Sequence, residues 1–430
     1  MKDVNERMTA IADAIRLHTL KSDNLGLNDM IKDLAEVTGY DISDIEGQLQ
    51  GMTLDDKYTV MAEAIRYATG GTALLSLDDM ASEIRGWYCD DAVAKIGVRH
   101  YATLDDAIAS AQAGNTIKLL KDITLENVTE HFAINKLLTI DGAKADGSGK
   151  YKITADVTAT TLVHLFQANA DFTMQNVDVN LTSEVKSGVI RGGTNITIKN
   201  CNFDTQYRAV TFFRASVDKY LSISNSNIVG GNCVLYLYQC SGGAEIVDNS
   251  LIECRGDVSD DGKSAVYVSG CNNKVAITVS TIKSENIGIQ INKVYCNLYL
   301  GEHSTIQTTT DHAIYTHGVG VSIDLHFAQT AYVESSENNE PYFTENTAEY
   351  TIEFAEEYER YAMCSGEPHS SGSGGLALEF FDDYTDAIYY YFGILFTYRA
   401  EAANEFAANG HTVYETKDIY DVTYYLISTT

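Results

Sequence analysis

The chain of 430 residues is 45% hydrophobic and contains only two prolines, so it is long and apolar enough to fold into roughly two to four domains. Its formal net charge of -30 argues against a nucleic-acid groove, because phosphate binding requires clustered lysine and arginine side chains. No run of about 18 apolar residues is present and the charged N-terminus has no apolar signal core, so we expect neither a membrane-spanning segment nor a secretory signal.

The first 90 residues carry one helical pattern twice. Residues 11–34 align with residues 61–84 at a fixed offset of 50, and apolar side chains recur at helical spacing in both copies. Each copy is therefore predicted to be a helix-loop-helix unit, and residues 1–90 are either an autonomous bundle or an attachment module with two equivalent docking faces. The repeated residues that we assign to attachment are Ala14, Ile15, Arg16, Ala64, Ile65 and Arg66.

A short amphipathic helix is predicted over residues 103–113, at the start of a long strand-forming region, residues 93–345. Thr103 is suited to cap the helix at its N-terminus, and Gly114 is expected to end it. No later segment before residue 345 has a helical pattern.

The strand-forming region repeats with a period close to 24 residues. Six equivalent positions follow one another at intervals of 24, 25, 24, 30 and 24 residues: Asn176, Asn200, Asn225, Asn249, Val279 and His303. Each repeat holds three short strand-like runs, which is typical of a solenoid. Asparagine tolerates a left-handed backbone and bonds locally through its side chain, so these asparagines are predicted to form turns and to bind no ligand.

The remaining residues are predicted to form a linker and a C-terminal module. Residues 346–375 include a segment rich in glycine and serine, which indicates a flexible linker. Residues 376–430 are dense in aromatic and strand-forming residues, with one predicted helix at about residues 398–408, and they indicate a small α+β module. This module is either a distal tip or a cap on the end of the solenoid.

The eight cysteines have no paired spacing of the kind that binds zinc. Six of them fall in strand-like segments, so we expect reduced thiols in the core, with a disulfide network as the alternative. No metal and no cofactor is predicted.

The region from Tyr101 to Val333 resembles the right-handed parallel β-helix of the pectate-lyase-like superfamily. The segment TLDDAIASAQAGNTIKLL resembles the capping helix and first strand of such domains. The predicted fold class is therefore mainly β, a right-handed parallel β-helix (solenoid) with an N-terminal α-helical region and a small C-terminal α+β module.

The two helical units resemble segments of tail and baseplate-associated proteins of bacteriophages. Together with the β-helix they resemble a phage tail fibre, tailspike or other virion appendage. The resemblance implies a structural protein made in the host cytoplasm and located on the virion, anchored to other virion proteins through residues 1–90. It also implies a homotrimer that attaches to a host-surface polysaccharide, with no nucleic-acid partner.

An aromatic stripe is predicted on one outward face of the β-helix, where rigid amphipathic rings would suit contact with sugars. The alternative is a solvent-facing ladder that exists only because tyrosine favours strands. The residues assigned to glycan binding are Phe213, Tyr236, Tyr238, Tyr267, Gln290 and Tyr315.

Two alternative functions remain open at this point, a polysaccharide depolymerase (lyase or hydrolase) and a bacterial surface adhesin. Glycoside hydrolysis needs two carboxylates about 5 to 9.5 Å apart, and outward residues one coil apart lie about 5 Å from each other. The candidate catalytic pairs are Asp178 with Asp204 and Glu253 with Glu285. The outward arginines, which we interpret as local charge balance, are Arg191, Arg208 and Arg214.

Overall fold

A computed structural model provides the structure of the chain. It describes residues 4–19, 25–69, 72, 75–158, 163–182, 187–239, 241–255, 264–270, 273–292, 295–317, 322–328, 330–334, 342–345, 349–354, 361–366, 375–381, 389–391, 394–397, 400–408, 412–417 and 423–427. The chain divides into two compact units, the first formed by Met1–Asp122 with Thr139–Tyr151 and the second by Ile123–Leu138 with Lys152–Thr430.

The first unit begins with a helical bundle in which the two sequence copies interlock. Its helices are α1 (Val4–Thr19), α2 (Leu27–Thr38), α3 (Leu54–Thr69) and α4 (Leu77–Gly86), with a 3₁₀ turn at Glu46–Gln48. The first helix of each copy packs mainly against the second helix of the other copy, α1 on α4 and α2 on α3. The pattern of burial over residues 11–19 recurs residue for residue over residues 61–69. The duplicated sequence therefore builds one shared core.

A short antiparallel sheet follows the bundle in the same unit. Its elements are β1 (Ala94–Ile96), β2 (Arg99–Tyr101), α5 (Leu104–Ser110) and β3 (Asn115–Leu119), with β1 paired to both β2 and β3. Thr103 caps α5 by accepting a hydrogen bond from the backbone N–H of Asp106 at 3.1 Å. The predicted end at residue 113 is wrong, because Ala111 is already extended, with φ -60° and ψ 145°.

The solenoid strands follow in threes, one strand for each of three sheets. In chain order they are β4 (Ile123–Val128), β5 (Phe132–Ile134), β6 (Leu138–Asp141), β7 (Tyr151–Val157), β8 (Val163–Ala168), β9 (Phe172–Gln175), β10 (Val177–Leu181), β11 (Ser187–Gly192), β12 (Ile196–Lys199), β13 (Asn202–Asp204), β14 (Val210–Phe213), β15 (Tyr220–Ser224), β16 (Asn227–Gly230), β17 (Leu235–Tyr238), β18 (Gly243–Val247), β19 (Leu251–Cys254), β20 (Ser264–Ser269), β21 (Asn273–Ile277), β22 (Thr281–Ser284), β23 (Ile287–Asn292), β24 (Tyr295–Leu300), β25 (Thr305–Thr308), β26 (Ile314–His317), β27 (Ser322–Phe327), β28 (Tyr332–Glu334), β29 (Tyr342–Glu345) and β30 (Glu349–Phe354).

Each strand from β8 to β27 pairs in parallel with the strand three places later, which confirms the predicted parallel β-solenoid, with about 8 turns. Within the second unit, sheet A runs from β9 through every third strand to β30, sheet B from β4 to β28, and sheet C from β5 to β29. Inward-facing residues of similar type lie directly opposite one another in successive coils. One such column, with each residue at most 1% exposed, contains Met174, Ile198, Ile223, Ile246 and Ile277.

The corner between sheets A and B is a left-handed turn at the six equivalent positions. The φ angles there are 54° at Asn176, 50° at Asn200, 46° at Asn225, 61° at Asn249, 49° at Val279 and 53° at His303. The amide of Asn200 donates to Asn176 Oδ1 at 2.7 Å, and the amide of Asn225 donates to Asn200 Oδ1 at 3.2 Å. These asparagines therefore form a hydrogen-bonded ladder along the turns.

A second ladder, which sequence reasoning missed, lies one residue further along the chain. Ser226 Oγ accepts from the backbone N–H of Cys201 at 3.0 Å, and Ser250 Oγ accepts from the N–H of Ser226 at 3.3 Å. Ser280 Oγ continues the ladder by accepting from the N–H of Ser250 at 3.1 Å. These buried hydroxyls satisfy backbone donors that the sharp corner removes from the strand pairing.

The C-terminal strands extend sheet C through antiparallel pairing of β29 with the strand Gly375–Phe381. Two strands, β30 and one at Tyr361–Gly366, lie inside the segment predicted as a linker, so that prediction is wrong for them; the rest of residues 346–374 is outside the described ranges. The C-terminal elements are β31 (Tyr361–Gly366), β32 (Gly375–Phe381), β33 (Tyr389–Tyr391), β34 (Ile394–Thr397), α6 (Ala400–Ala408), β35 (Val413–Lys417) and β36 (Thr423–Ile427).

The cysteines whose side chains are described carry thiols. Four of them are at most 1% exposed, and burial raises the pKa of Cys233 to about 11 and that of Cys254 to about 12. These thiols are therefore protonated and behave as small core residues.

In the described part of the chain, no helix combines the length and the apolar character needed to cross a membrane.

Replacement of Asn200 by alanine should lower the free energy of unfolding by about 2 kcal/mol, because alanine loses the ladder hydrogen bonds and is strained at a positive φ. The matched variant Asn200→Gly loses the same hydrogen bonds but tolerates the backbone, so a loss of about 1 kcal/mol is expected. Urea unfolding of both variants measures the difference. Equal losses for the two variants would contradict the backbone argument.

Candidate functional site

The residues assigned to attachment lie mostly in the core of the helical bundle. Ala14, Ile15, Ala64 and Ile65 are each at most 1% exposed. Arg16 and Arg66 are half-buried, and Arg16 pairs with Asp13 on its own helix. The four apolar residues are therefore unavailable to a partner, because the two copies use them to pack against each other.

The candidate pair Asp178 and Asp204 does not occupy one column of sheet B. The register places Asn202 opposite Asp178 and Asn180 opposite Asp204. Asn202 donates its amide to Asp178 Oδ1 at 2.7 Å. The two aspartates are therefore not directly opposed, because register follows distance from the turn asparagine and they lie two and four positions after it. Their catalytic assignment stays a prediction.

The second candidate pair is separated in the same way. Glu253 lies opposite Lys283, and Glu285 follows the end of β22, outside the paired residues. Glu253 also accepts a hydrogen bond from Arg255 Nε at 3.4 Å. Neither candidate pair therefore forms a directly opposed pair of carboxylates.

The residues assigned to glycan binding lie on the outward side of sheet C, and all are half-buried. They occupy two neighbouring columns. Phe213 lies opposite Tyr238 in one column, and the other column contains Tyr236, Tyr267, Gln290 and Tyr315 in register. Parallel pairing thus assembles residues from five coils that are up to 102 positions apart in sequence.

Most of these rings stack on one another. The centroids of Tyr236 and Tyr267 are 5.1 Å apart with an interplanar angle of 2°, and those of Phe213 and Tyr238 are 6.1 Å apart at 4°. Tyr236 and Tyr238 stack at 5.6 Å and 19° and so connect the two pairs. Because ring faces are covered by neighbouring rings, a ligand on this surface would meet ring edges and hydroxyl groups.

Three arginines lie against this aromatic surface. The guanidinium carbon of Arg208 is 3.7 Å from the ring centroid of Tyr236, while those of Arg191 and Arg214 are 4.6 Å and 4.8 Å from that of Phe213. These distances are typical of cation–π contacts. No ion pair between these arginines and a carboxylate is present among the described residues, so their interpretation as local charge balance stays a prediction.

A buried histidine lies beside the arginines. His164 is 3% exposed, and its Nε2 is 2.8 Å from Thr211 Oγ1. Burial, followed by the positive charges of Arg191 and Arg208, lowers the pKa of His164 to about 3. Sequence reasoning missed His164 because a lone histidine carries no motif. Gly188 packs so closely against His164 that a Cβ at this position would lie 2.5 Å from the imidazole. The glycine within a strand-like run is the sequence feature that could have indicated this close contact.

A separate cavity of about 310 Å³ lies in the first unit, between the helical bundle and the strand β1. His18, Glu36, Lys95 and His100 are among its lining residues. Burial, together with the neighbouring His18 and Lys95, lowers the pKa of His100 to about 4. No group of three or more metal-ligating side chains occurs in the described part of the chain.

Comparisons with protein-family models, with curated proteins and with solved structures find no match to this chain.

The buried His164 should make the second unit less stable in mild acid. Its pKa is lowered from 6.5 to about 3 in the folded chain, so below pH 6.5 the unfolded chain binds a proton that the folded chain does not. The stability present above that pH should then fall by about 1.4 kcal/mol for each pH unit.

The measurement is urea unfolding at a series of pH values, with His164→Gln expected to show a shallower dependence. His326→Gln, a change at a half-buried histidine on sheet A, is the matched control and should keep the wild-type slope. Identical slopes for wild type and His164→Gln would contradict the prediction.

Proposed function

We propose that this protein is a bacteriophage virion appendage whose solenoid contacts a host-surface glycan through sheet C. In this proposal the appendage is a homotrimer held to the virion by its N-terminal bundle. The observation that carries the glycan contact is the stacked array of Phe213, Tyr236, Tyr238 and Tyr267 on one outward face. Stacking holds the rings in place before a ligand arrives, so binding would cost little side-chain entropy.

The array also offers hydrogen-bonding groups at fixed positions. Tyr267 already accepts a hydrogen bond from the amide of Asn292 at 3.2 Å, which orients its hydroxyl. Hydroxyls and ring edges arranged along a rigid sheet suit a linear chain of sugars, because one long ligand can contact several coils at once.

Replacing Tyr236 and Tyr238 by alanine should weaken binding to host cells by at least about tenfold, because both rings and both hydroxyls are removed from the array. The matched control is Tyr299→Ala, which removes a tyrosine that is 42% exposed on sheet A of the same solenoid. Flow cytometry with the labelled protein measures the binding.

Unchanged binding by the double variant, or an equal loss in the control, would contradict the assignment of this surface. Shortening of the polysaccharide during the assay would instead favour the depolymerase alternative.

The attachment role of the bundle is supported by a repeated exposed surface. The large apolar residues exposed on the bundle form two equivalent pairs at the same offset of 50 residues. Val4 and Leu54 are 52% and 53% exposed, and Leu17 and Tyr67 are 39% and 63% exposed. Equivalent apolar residues on both copies would present one partner with the same contact twice.

Substitution of Leu17 and Tyr67 by serine should reduce incorporation of the protein into virus particles, since both copies of the exposed contact are altered while the core is left intact. Val217→Ser is the matched control, because this solenoid residue is 80% exposed and lies outside the bundle. The measurement is the amount of protein that sediments with particles. Incorporation equal to that of wild type would contradict the proposed attachment surface.

A further inference from the structure

We propose that Arg191, Arg208 and Arg214 form an anion-binding site on sheet C, which takes the acidic groups of a surface glycan. This inference rests on the glycan contact proposed above and specifies the class of glycan, one that carries carboxylate or phosphate groups along its chain.

The three guanidinium groups share one continuous aromatic surface. Arg191 and Arg214 both lie beside the ring of Phe213, at 4.6 Å and 4.8 Å. Phe213 stacks on Tyr238, and Tyr238 stacks on Tyr236, the ring that carries Arg208 at 3.7 Å. The charges therefore come from neighbouring coils and lie along the same surface as the proposed glycan contact.

Among the described residues, the hydrogen bonds of Arg208 and Arg214 go to uncharged partners, and Arg208 bonds the thiol of Cys233. Arg214 Nε donates to Gln239 Oε1 at 3.3 Å, an uncharged partner. Arg208 Nε is buried and has no hydrogen-bond partner among the described residues. Arg214 is exposed, so the oxygen acceptor of a ligand can reach its guanidinium group.

The surroundings of these arginines differ from those of an arginine elsewhere on the solenoid. Arg255 lies 3.4 Å from Glu253 and 3.9 Å from Asp204, so two carboxylates balance its charge. In a chain with 60 acidic and 30 basic residues, carboxylates are the more abundant partners. What distinguishes Arg191, Arg208 and Arg214 is that three arginines with no ion pair within the described residues lie on one surface, which favours an external anion.

The charged groups near His164 also include two of these arginines. The charged groups that act on this imidazole are Arg191, Arg208 and His131, and all of them lower its pKa. No carboxylate among the described residues opposes them. Burial is the largest cause of the lowered pKa of His164, and the further contributions of Arg191 and Arg208 show that both guanidinium groups lie near this imidazole.

An acidic glycan fits both components of the surface. Guanidinium groups bind carboxylate and phosphate oxygens through paired hydrogen bonds, and ring edges with hydroxyls contact the sugar units between the charges. A small inorganic anion would use the arginines alone and would leave the aromatic array without a role.

The experiment measures binding of the full chain by calorimetry to three probes of similar length. They are a galacturonate oligomer, the same oligomer after its carboxyl groups are reduced to alcohols, and a glycerol-phosphate oligomer. At least one acidic probe should bind about tenfold or more tightly than the reduced probe, and added salt should weaken only acidic binding. The carboxylate and phosphate probes identify which acidic group is preferred.

Combined substitution Arg191→Gln and Arg214→Gln should reduce acidic binding by about tenfold or more and leave binding of the reduced probe unchanged. Arg255→Gln removes the same charge from another face and should have no effect on either probe. Circular dichroism of each variant checks that the solenoid is folded.

Equal affinity for acidic and reduced probes would overturn the inference, and so would an equal loss in Arg255→Gln. If cell binding still depends on Tyr236 and Tyr238 in that case, the proposed glycan contact stands and only its acidic character fails. If no probe binds and cell binding is independent of these tyrosines, both proposals are overturned.

Discussion

Every column of the solenoid depends on the left-handed turn between sheets A and B. At six successive corners the backbone takes a φ between 46° and 61°, and asparagine occupies four of these positions. The side-chain amides bond to one another from coil to coil, and the following serines accept from buried backbone N–H groups. The chain thereby passes from sheet A to sheet B without an intervening helix, and in sheet B residues at the same distance from their turns lie opposite each other.

In sheet B, the number of residues between a side chain and its turn decides which residue lies opposite it on the next coil. Asp178 lies opposite Asn202, and Glu253 lies opposite Lys283, since each partner stands equally far from its own turn residue. In sheet C, the pairing of β17 with β20 brings Tyr236 and Tyr267 into parallel stacking contact, although 31 positions separate them and they lie 11 and 18 positions after their own turn residues. The aromatic surface and its arginines are therefore consequences of the register, and a one-residue shift would turn alternate side chains to the other face.

In the N-terminal bundle, the repeated residues pack against each other and do not stack in columns. Two copies of one helix-loop-helix pattern pack against each other, so the residues they share most clearly, such as Ile15 and Ile65, form their common core. The surface available to a partner consists instead of positions where the copies agree only in being apolar, such as Leu17 and Tyr67. Apolar positions at which both copies have the same residue thus lie in the core or pack against it, whereas positions at which both copies expose an apolar side chain form the candidate contact surface.

Sequence periodicity alone determined the parallel solenoid, the turn positions and the helical units. A period of 24 to 30 residues with a recurring asparagine leaves few other ways to bury the strands. The capping residue Thr103 was also readable, because its contact with Asp106 is local.

Only the tertiary structure decided which side chains meet across coils and across the two helical copies. The stacking of Arg208 on Tyr236, the burial of His164 and the offset between the candidate carboxylates depend on register, which no local pattern specifies. The burial of Ala14 and Ala64 likewise depends on α1 packing on α4 and α2 on α3. Local propensity acts over a few residues, whereas these contacts join residues that are far apart in the chain.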